Sequence, residues 1–281
     1  MALKPMAIGV MLGVGEAPEE SLKKVLDVGV TNAQMGRPPD AWLTPAKATE
    51  LKKMIKKSGV TITTVFCGFD GESYADIPTV RATVGLVPKA TRKARLKKSK
   101  QIADFAKILG VKNVAAHIGF VPEDPCDPDY KDIARTVRNF ADHLARNKQN
   151  LCLETGQETG ECLLRFIQDL ARRNVKVNFD PANMILYGSG EPIPALKLVG
   201  QYVAGVHCKD GVGPTETDKL GTEVPLGKGK VNIPRFIQTL ADLGYRGPLT
   251  IEREITGDQQ KKDIVKARKL LERIRAKVLA K

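Results

Sequence analysis

The sequence has no long uninterrupted apolar run, and no stretch approaches the ~18 consecutive apolar residues that a membrane-spanning helix needs. Its first residues hold one lysine and a short apolar run, which is more typical of a first β-strand than of a secretory signal. We therefore predict a cytoplasmic protein with no membrane partner.

Cysteine is also scarce, with five residues in the chain. None of them form a CxxC or CxxxC pair, and an odd number in a chain of this length argues against a disulfide framework. We predict that all five cysteines are reduced and structural.

No Pro/Gly/Ser-rich or low-complexity stretch divides the 281 residues. Two domains of about 140 residues each would need such a linker, whereas a barrel of eight β/α units uses a whole chain of roughly this length. The sequence therefore predicts one domain over residues 1–281.

Positive charge is in excess, with a formal net charge of +13 that is concentrated in residues 89–100 and 261–281. Both stretches have apolar residues at helical spacing between the charges, and neither interleaves aromatic residues that could stack on bases. We interpret them as solvated helix faces, so nucleic acid is not an expected partner.

Short β-rich runs alternate with amphipathic helical stretches along the sequence, a pattern that specifies a parallel sheet with helical crossovers. Eight such pairs, with short turns from helix to strand, predict a closed (β/α)₈ TIM barrel rather than an open doubly wound sheet, whose glycine fingerprint is missing after the first strand. The predicted strands are Ala7–Leu12, Thr31–Met35, Thr61–Cys67, Asn113–Ile118, Asn150–Glu154, Lys176–Asp180, Gly205–Lys209 and Pro248–Glu252. The predicted helices are Pro18–Val28, Pro45–Ser58, Thr91–Leu109, Tyr130–Asn147, Gly160–Arg173, Ile193–Val199, Ile233–Leu243 and Gln259–Lys277.

Ionisable residues end four successive predicted strands: Glu154, Asp180, His207 and Glu252. A charged group at the end of an apolar strand is costly to bury without compensation, and residues at these strand ends of a barrel are typically functional. Three converging carboxylates would repel one another, and a divalent cation is the simplest way to neutralise them. One imidazole and three carboxylates suit Mn²⁺, Mg²⁺ or Co²⁺ better than a thiolate-seeking ion.

The motifs around these residues resemble the xylose isomerase-like barrel superfamily of sugar isomerases and epimerases. They are Leu-Glu-Thr-Gly (153–156), Asn-Phe-Asp-Pro-Ala-Asn-Met (178–184), Val-His-Cys-Lys-Asp (206–210) and Thr-Ile-Glu-Arg-Glu (250–254), with Ala-His-Ile-Gly-Phe (116–120) and residues 225–233 in support. The resemblance covers nearly the whole chain. It implies a small-molecule carbohydrate substrate and one divalent metal ion, with Mn²⁺ first and Mg²⁺, Co²⁺ or Zn²⁺ as alternatives. A homo-oligomer is compatible with it.

The reaction that the resemblance implies is isomerisation or epimerisation by proton transfer through a metal-stabilised enediolate. Glu154 and Glu252 would each act as metal ligand and as acid or base. The superfamily also contains dehydratases and endonucleases, so a lyase or hydratase acting on a 3-keto sugar or polyol is the second hypothesis. Asn183 stands where the endonucleases, and usually the ketose 3-epimerases, have a histidine, which makes a nuclease the less favoured reading.

Four further residues are candidate substrate contacts: His117, Glu158, Asn183 and Lys209. His117 ends the fourth predicted strand, and Lys209 follows the strand-seven histidine, where it could neutralise an oxyanion. Glu158 is interpreted equally well as an acid at a helix N-terminus. His117 is interpreted equally well as a core residue that is hydrogen-bonded to the backbone.

Overall fold

A computed structural model describes residues 3–280, and eight of its parallel strands close into a barrel. The prediction of a (β/α)₈ TIM barrel is therefore confirmed. The barrel strands are β1 (Ile8–Leu12), β2 (Asn32–Met35), β3 (Thr61–Phe66), β4 (Asn113–Ala116), β5 (Asn150–Glu154), β6 (Val175–Phe179), β7 (Val203–Cys208) and β10 (Leu249–Ile251). They are hydrogen-bonded in the order β1-β10-β7-β6-β5-β4-β3-β2, so neighbours in sequence are neighbours in space. A separate antiparallel hairpin consists of β8 (Asp210–Val212) and β9 (Thr222–Val224).

The helices pack around the outside of the barrel through apolar stripes. The helix after β4 shows the pattern: the residues that it buries recur at intervals of three and four, from Tyr130 through Val137 to Leu144. The helices are α1 (Pro18–Asp27), α2 (Pro45–Ser58), α3 (Ile77–Thr83), α4 (Lys89–Leu109), α5 (Pro128–Arg146), α6 (Gly160–Leu170), α7 (Pro181–Tyr187), α8 (Pro192–Val199), α9 (Ile233–Asp242) and α10 (Asp258–Leu279). Two short 3₁₀ turns cover Asp40–Trp42 and Gly200–Tyr202. Within residues 3–280, each helix is too short or too polar to cross a bilayer.

Helix α7 was not predicted, and it changes the position of Asp180. The predicted strand Lys176–Asp180 ends one residue earlier, at Phe179, because the Asp180 carboxylate accepts hydrogen bonds from the backbone N–H groups of Ala182 and Asn183. Asp180 is thus the N-cap of a helix that begins with a proline. This cap directs the aspartate away from the regular strand and fixes its side chain.

Three other candidate residues lie just beyond the strands that were predicted to contain them. His117 follows β4, Lys209 lies between β7 and β8, and Glu252 follows β10. They belong to the loops at the carboxyl ends of the strands, where TIM barrels build their sites.

The long segments after β3 and β7 cover this end of the barrel. The backbone N–H of Ile77 in α3 donates to the carbonyl oxygen of Asp218 at 2.9 Å, which joins the two segments. Val80 and Val84 form a small apolar cluster with Tyr187, and Leu220 packs against it. The two segments together form a roof over the carboxyl ends of β4 to β7.

Candidate active site

Three carboxylates at the ends of β5, β6 and β10 converge on one atom, the Nδ1 nitrogen of His207 in β7. Glu154 Oε1 lies 2.9 Å from it, Glu252 Oε2 3.2 Å and Asp180 Oδ2 3.5 Å. Residues at these strand ends therefore meet at the barrel axis, as the sequence predicts.

The site is almost closed to solvent. Glu154, Asp180 and His207 are at most 2% exposed, and the side chain of Glu252 is 16% exposed. Burial raises the pKa of Glu154 to about 7. Burial would also raise the pKa of Glu252, but His207 and Lys209 hold it well below its usual value.

Two buried polar atoms of the four converging side chains have no hydrogen-bond partner among the described residues: Asp180 Oδ2 and His207 Nδ1. They lie with an oxygen of Glu154 within 4.8 Å of one another, which is the spacing of ligand atoms around one ion. Burial would lower the pKa of His207, yet the surrounding carboxylates raise it well above its usual value, so a positive charge is favoured at this point. Oxygen-rich ligands with one imidazole fit a divalent cation such as Mn²⁺ or Mg²⁺.

Lys209 and Asn183 lie beside the carboxylates and contact each other. The ammonium nitrogen of Lys209, itself buried, is 3.1 Å from Asn183 Oδ1 and 3.3 Å from Glu252 Oε2. Asn183 also donates from its Nδ2 to the backbone oxygen of Thr155. Both predicted substrate contacts are thus close to the site, and Lys209 binds protein acceptors.

A cavity of about 550 Å³ opens above the four side chains. His117 lines it, with Nδ1 3.3 Å from the side-chain oxygen of Gln157, and burial lowers the pKa of His117 to about 4. Gln157 Nε2 in turn lies 3.3 Å from the hydroxyl of Tyr187. Gln157 is buried and links His117 to Tyr187, and these two side chains line the cavity. The lining of the cavity includes Met11, Phe66, Tyr74, His117, Glu154, Asn183, Leu186, Tyr187, His207, Lys219, Glu223, Glu252 and Glu254.

Glu158 lies on the other side of Glu154. It lines a small, mostly apolar cavity with Ile118, Val121 and Phe166, and burial raises the pKa of Glu158 to about 8. It does not line the larger cavity. Its connection to the site is Glu154, which lines both cavities. Its prediction as a substrate contact stays a prediction.

Sequence reasoning missed several polar residues of the site. Gln157 and Glu254 belong to loops, Tyr187 to the short helix α7 and Glu223 to the three-residue strand β9, where no long periodic pattern marks the direction of a side chain. Gln34 and Asn178 lie inside barrel strands and are buried. Their signal was a polar amide at alternate positions in otherwise apolar runs, with Asn178 two residues before Asp180.

A family model for xylose isomerase-like TIM barrels matches residues 22–274. The chain belongs to the xylose isomerase-like TIM barrel family. A solved structure of a xylose isomerase domain protein from Planctomyces limnophilus is 43% identical, covers 99% of this chain and all of that one, and has a TM-score of 0.94. An uncharacterised protein of Methanocaldococcus jannaschii is 25% identical over 181 residues, which are 60% of this chain and 59% of that protein.

Two solved structures of lower identity share the fold. A D-tagatose 3-epimerase-like protein is 18% identical with a TM-score of 0.76, and the match covers 97% of this chain and 99% of that one. A xylose isomerase-like TIM barrel protein from Mycobacterium smegmatis in complex with magnesium is 20% identical with a TM-score of 0.70, over 98% of both chains. At these identities the two likenesses show the fold alone.

Proposed function

We propose that the protein is a divalent-metal-dependent isomerase or epimerase of a sugar. The observation that carries this proposal is the convergence of three carboxylate oxygens on His207 Nδ1 beneath a cavity lined by both polar and apolar side chains. Glu154, Asp180, His207 and Glu252 would hold the ion, and Mn²⁺ is the first ion to test. When bound, such an ion polarises a carbonyl and offsets the negative charge that develops when a neighbouring carbon loses its proton.

The chain supplies two carboxylates that can move that proton. Glu154 is held through Oε2 by the Nδ2 group of Asn178, at 2.6 Å, and Glu252 is held through Oε2 by Lys209. Both are fixed at the cavity wall. Either carboxylate can take a proton from a carbon of the substrate, and the other can then return a proton. Fixed positions reduce the entropy that is lost in reaching the reactive geometry, and this is a large part of catalysis.

His117 and Tyr187, which line the cavity and are linked by Gln157, would bind hydroxyl groups of the substrate. A cavity of about 550 Å³ falls in the usual range for small-molecule sites. Glu154, Glu223, Glu252 and Glu254 line it and would repel a phosphodiester, which supports a carbohydrate substrate over a nucleic acid.

The proposal is tested by incubating the protein with Mn²⁺ and a panel of ketoses and aldoses in D₂O. We expect deuterium to enter the sugar at one carbon, and we expect Glu252→Gln to abolish this exchange. Glu50→Gln, on the exposed surface of α2, is the matched control and should exchange at the wild-type rate. Absence of exchange with every sugar, under Mn²⁺, Mg²⁺, Co²⁺ and Zn²⁺, would contradict the proposal.

A lyase is the second candidate, and Asn183 favours it. Asn183 Oδ1 accepts a hydrogen bond from Lys209, so this position offers neither the acid nor the base that a histidine would supply. The same carboxylate base could then drive β-elimination from a 3-keto sugar. Loss of water or an aglycone without exchange into recovered substrate would favour the lyase.

A further inference from the structure

Two buried carboxamides link Glu154 to His207 beneath the site. Asn178 Nδ2 lies 2.6 Å from Glu154 Oε2, and Asn178 Oδ1 lies 3.0 Å from Gln34 Nε2. Gln34 Oε1 then lies 2.9 Å from His207 Nε2. Gln34 and Asn178 are at most 1% exposed, so water does not compete for these bonds. The four side chains form one continuous chain of hydrogen bonds.

The barrel backbone is irregular at both carboxamides. The pairing of β2 with β3 shifts register between Ala33 and Gln34, and the pairing of β6 with β7 shifts between Val177 and Asn178. Such irregularities in strands redirect a side chain and are common beside active sites. Gly205 on β7 supplies the space, because a Cβ there would lie 2.2 Å from Asn178 Oδ1. The fold therefore accommodates this chain of hydrogen bonds at specific places in three strands.

The direction of every hydrogen bond follows from the first. A carboxylate that binds a cation is ionised and only accepts, so Asn178 must turn its NH₂ group toward Glu154. Asn178 Oδ1 then accepts from Gln34 Nε2, which leaves Gln34 Oε1 facing His207. Two facing acceptors would repel, so His207 must carry its proton on Nε2. With a cation held among the three carboxylates that surround Nδ1, this nitrogen would carry no proton, and its lone pair would be available as a ligand.

We propose that Gln34 and Asn178 are positioning residues that fix the tautomer of His207 and so prepare Nδ1 as a metal ligand. This inference rests on the proposed metal site. Partners of this kind on the far nitrogen of a ligating histidine orient the ring, and their loss typically lowers metal affinity 10- to 100-fold. Asn178 has a second effect, because the bond that sets its direction also holds Glu154 in place.

The test compares Gln34→Met and Asn178→Leu with a matched control, Gln149→Met. Gln149 is an equally buried carboxamide, but its Nε2 donates to the backbone oxygens of Ala103 and Val111, away from the site. The dissociation constant of Mg²⁺ or Mn²⁺ is measured by calorimetry, without substrate. We expect it to rise 10- to 100-fold in the two site variants and less than twofold in the control, although all three lose thermal stability.

The tautomer is read directly in the wild-type protein by ¹⁵N NMR of the histidine rings with Mg²⁺ bound, and the chain has only three histidines to assign. We expect a proton on Nε2 of His207 and none on Nδ1. A proton on Nδ1, or site variants that bind the ion as tightly as Gln149→Met does, would overturn the inference. A wild-type protein that binds none of the divalent ions would instead overturn the proposed function on which the inference rests.

Discussion

Glu254 Oε1 lies 2.8 Å from the ammonium nitrogen of Lys209. Asn183 and Glu252 accept the other two hydrogen bonds that this ammonium group can donate. Burial would lower the pKa of Lys209, but Glu252, Asp180 and Glu254 raise it well above its usual value. Lys209 is therefore a permanent positive charge that compensates the carboxylates, and its donors are fully used by the protein.

Replacing this charge should destabilise the metal-free protein. We expect Lys209→Met to lower the free energy of unfolding by about 3 kcal/mol in EDTA, because it leaves buried carboxylates uncompensated. Mn²⁺ should restore part of the loss, since the ion would neutralise the same carboxylates. Denaturant unfolding with and without Mn²⁺ measures both effects.

Glu254→Gln is the control for this prediction. The side chain of Glu254 is 58% exposed, so removing its charge should change the free energy of unfolding by less than ~1 kcal/mol. If the two variants lose equal stability, Lys209 is not the compensating charge described above.

The four converging side chains could be predicted because each is an ionisable group at the end of an apolar run. The alternation of strands and helices then fixes which ends of the strands meet, so no long-range information was needed. The sequence could not show how Lys209 is bound, because Glu254 lies in the loop after β10 and Asn183 in the helix after β6. Contacts of this kind depend on the closed barrel.

The carboxamide chain through Gln34 and Asn178 was also beyond prediction. A polar amide in a strand indicates that it has a buried partner but not which group that partner is. A register shift between two parallel strands leaves no signal in the sequence of either strand. Helix α7 was missed for a different reason: it spans seven residues and follows β6 directly, so its apolar residues resemble a continuation of the strand.

The partly buried ring of His117 predicts a pH dependence of stability. Burial lowers its pKa from 6.5 to about 4, so the unfolded state binds more protons between these values. Stability from this residue is complete above pH 6.5 and decreases as the pH falls toward 4. One titrating group can change the free energy of unfolding by at most about 1.4 kcal/mol per pH unit. The change due to His117 should be smaller, because its ring is partly exposed to solvent.

His117→Gln should remove this contribution. Chemical unfolding in EDTA from pH 7 to 4.5 is expected to give a shallower decrease for the variant than for the wild type. EDTA removes the effect of metal loss at low pH, and the difference between the two curves isolates His117 from other titrating groups. Parallel curves would show that His117 is as easily protonated in the folded protein as in the unfolded chain.

Asp180→Asn separates metal binding from helix capping. Asparagine caps a helix as well as aspartate does, so the bonds to the N–H groups of Ala182 and Asn183 can persist. We expect the metal-free variant to be at least as stable as the wild type, because one negative charge is removed from among buried carboxylates. Mn²⁺ at 100 times its dissociation constant should stabilise the wild type by about 2.7 kcal/mol and the variant by much less.

Asp76→Asn provides the comparison for capping alone, since Asp76 caps α3 through the N–H of Thr79 and lies outside the metal site. It should keep the full stabilisation by Mn²⁺. A loss of this stabilisation in both variants would indicate a general effect of the substitution rather than a missing ligand.

Asp210 organises the glycine-rich segment before α9. Its carboxylate accepts four backbone hydrogen bonds, from the N–H groups of Gly211, Gly227, Gly229 and Val231, at 2.9 to 3.1 Å. The N–H groups of the two glycines at 227 and 229 are thereby already occupied by a protein carboxylate, so this segment is a turn into the helix and not an anion site.

Asp210→Asn should release part of this segment, because one carboxylate oxygen becomes an NH₂ group that cannot accept. We expect the free energy of unfolding to fall by about 2 kcal/mol, since two backbone donors lose their acceptor in a buried place. The NH₂ group replaces either Oδ2, which binds the amides of 227 and 229, or Oδ1, which binds those of 211 and 231. Hydrogen exchange of the pair that loses its acceptor should accelerate at least tenfold. Asp218→Asn, exposed in the same long segment, should leave these amides protected. Unchanged protection in Asp210→Asn would mean that β8 and β9 hold the segment without the carboxylate.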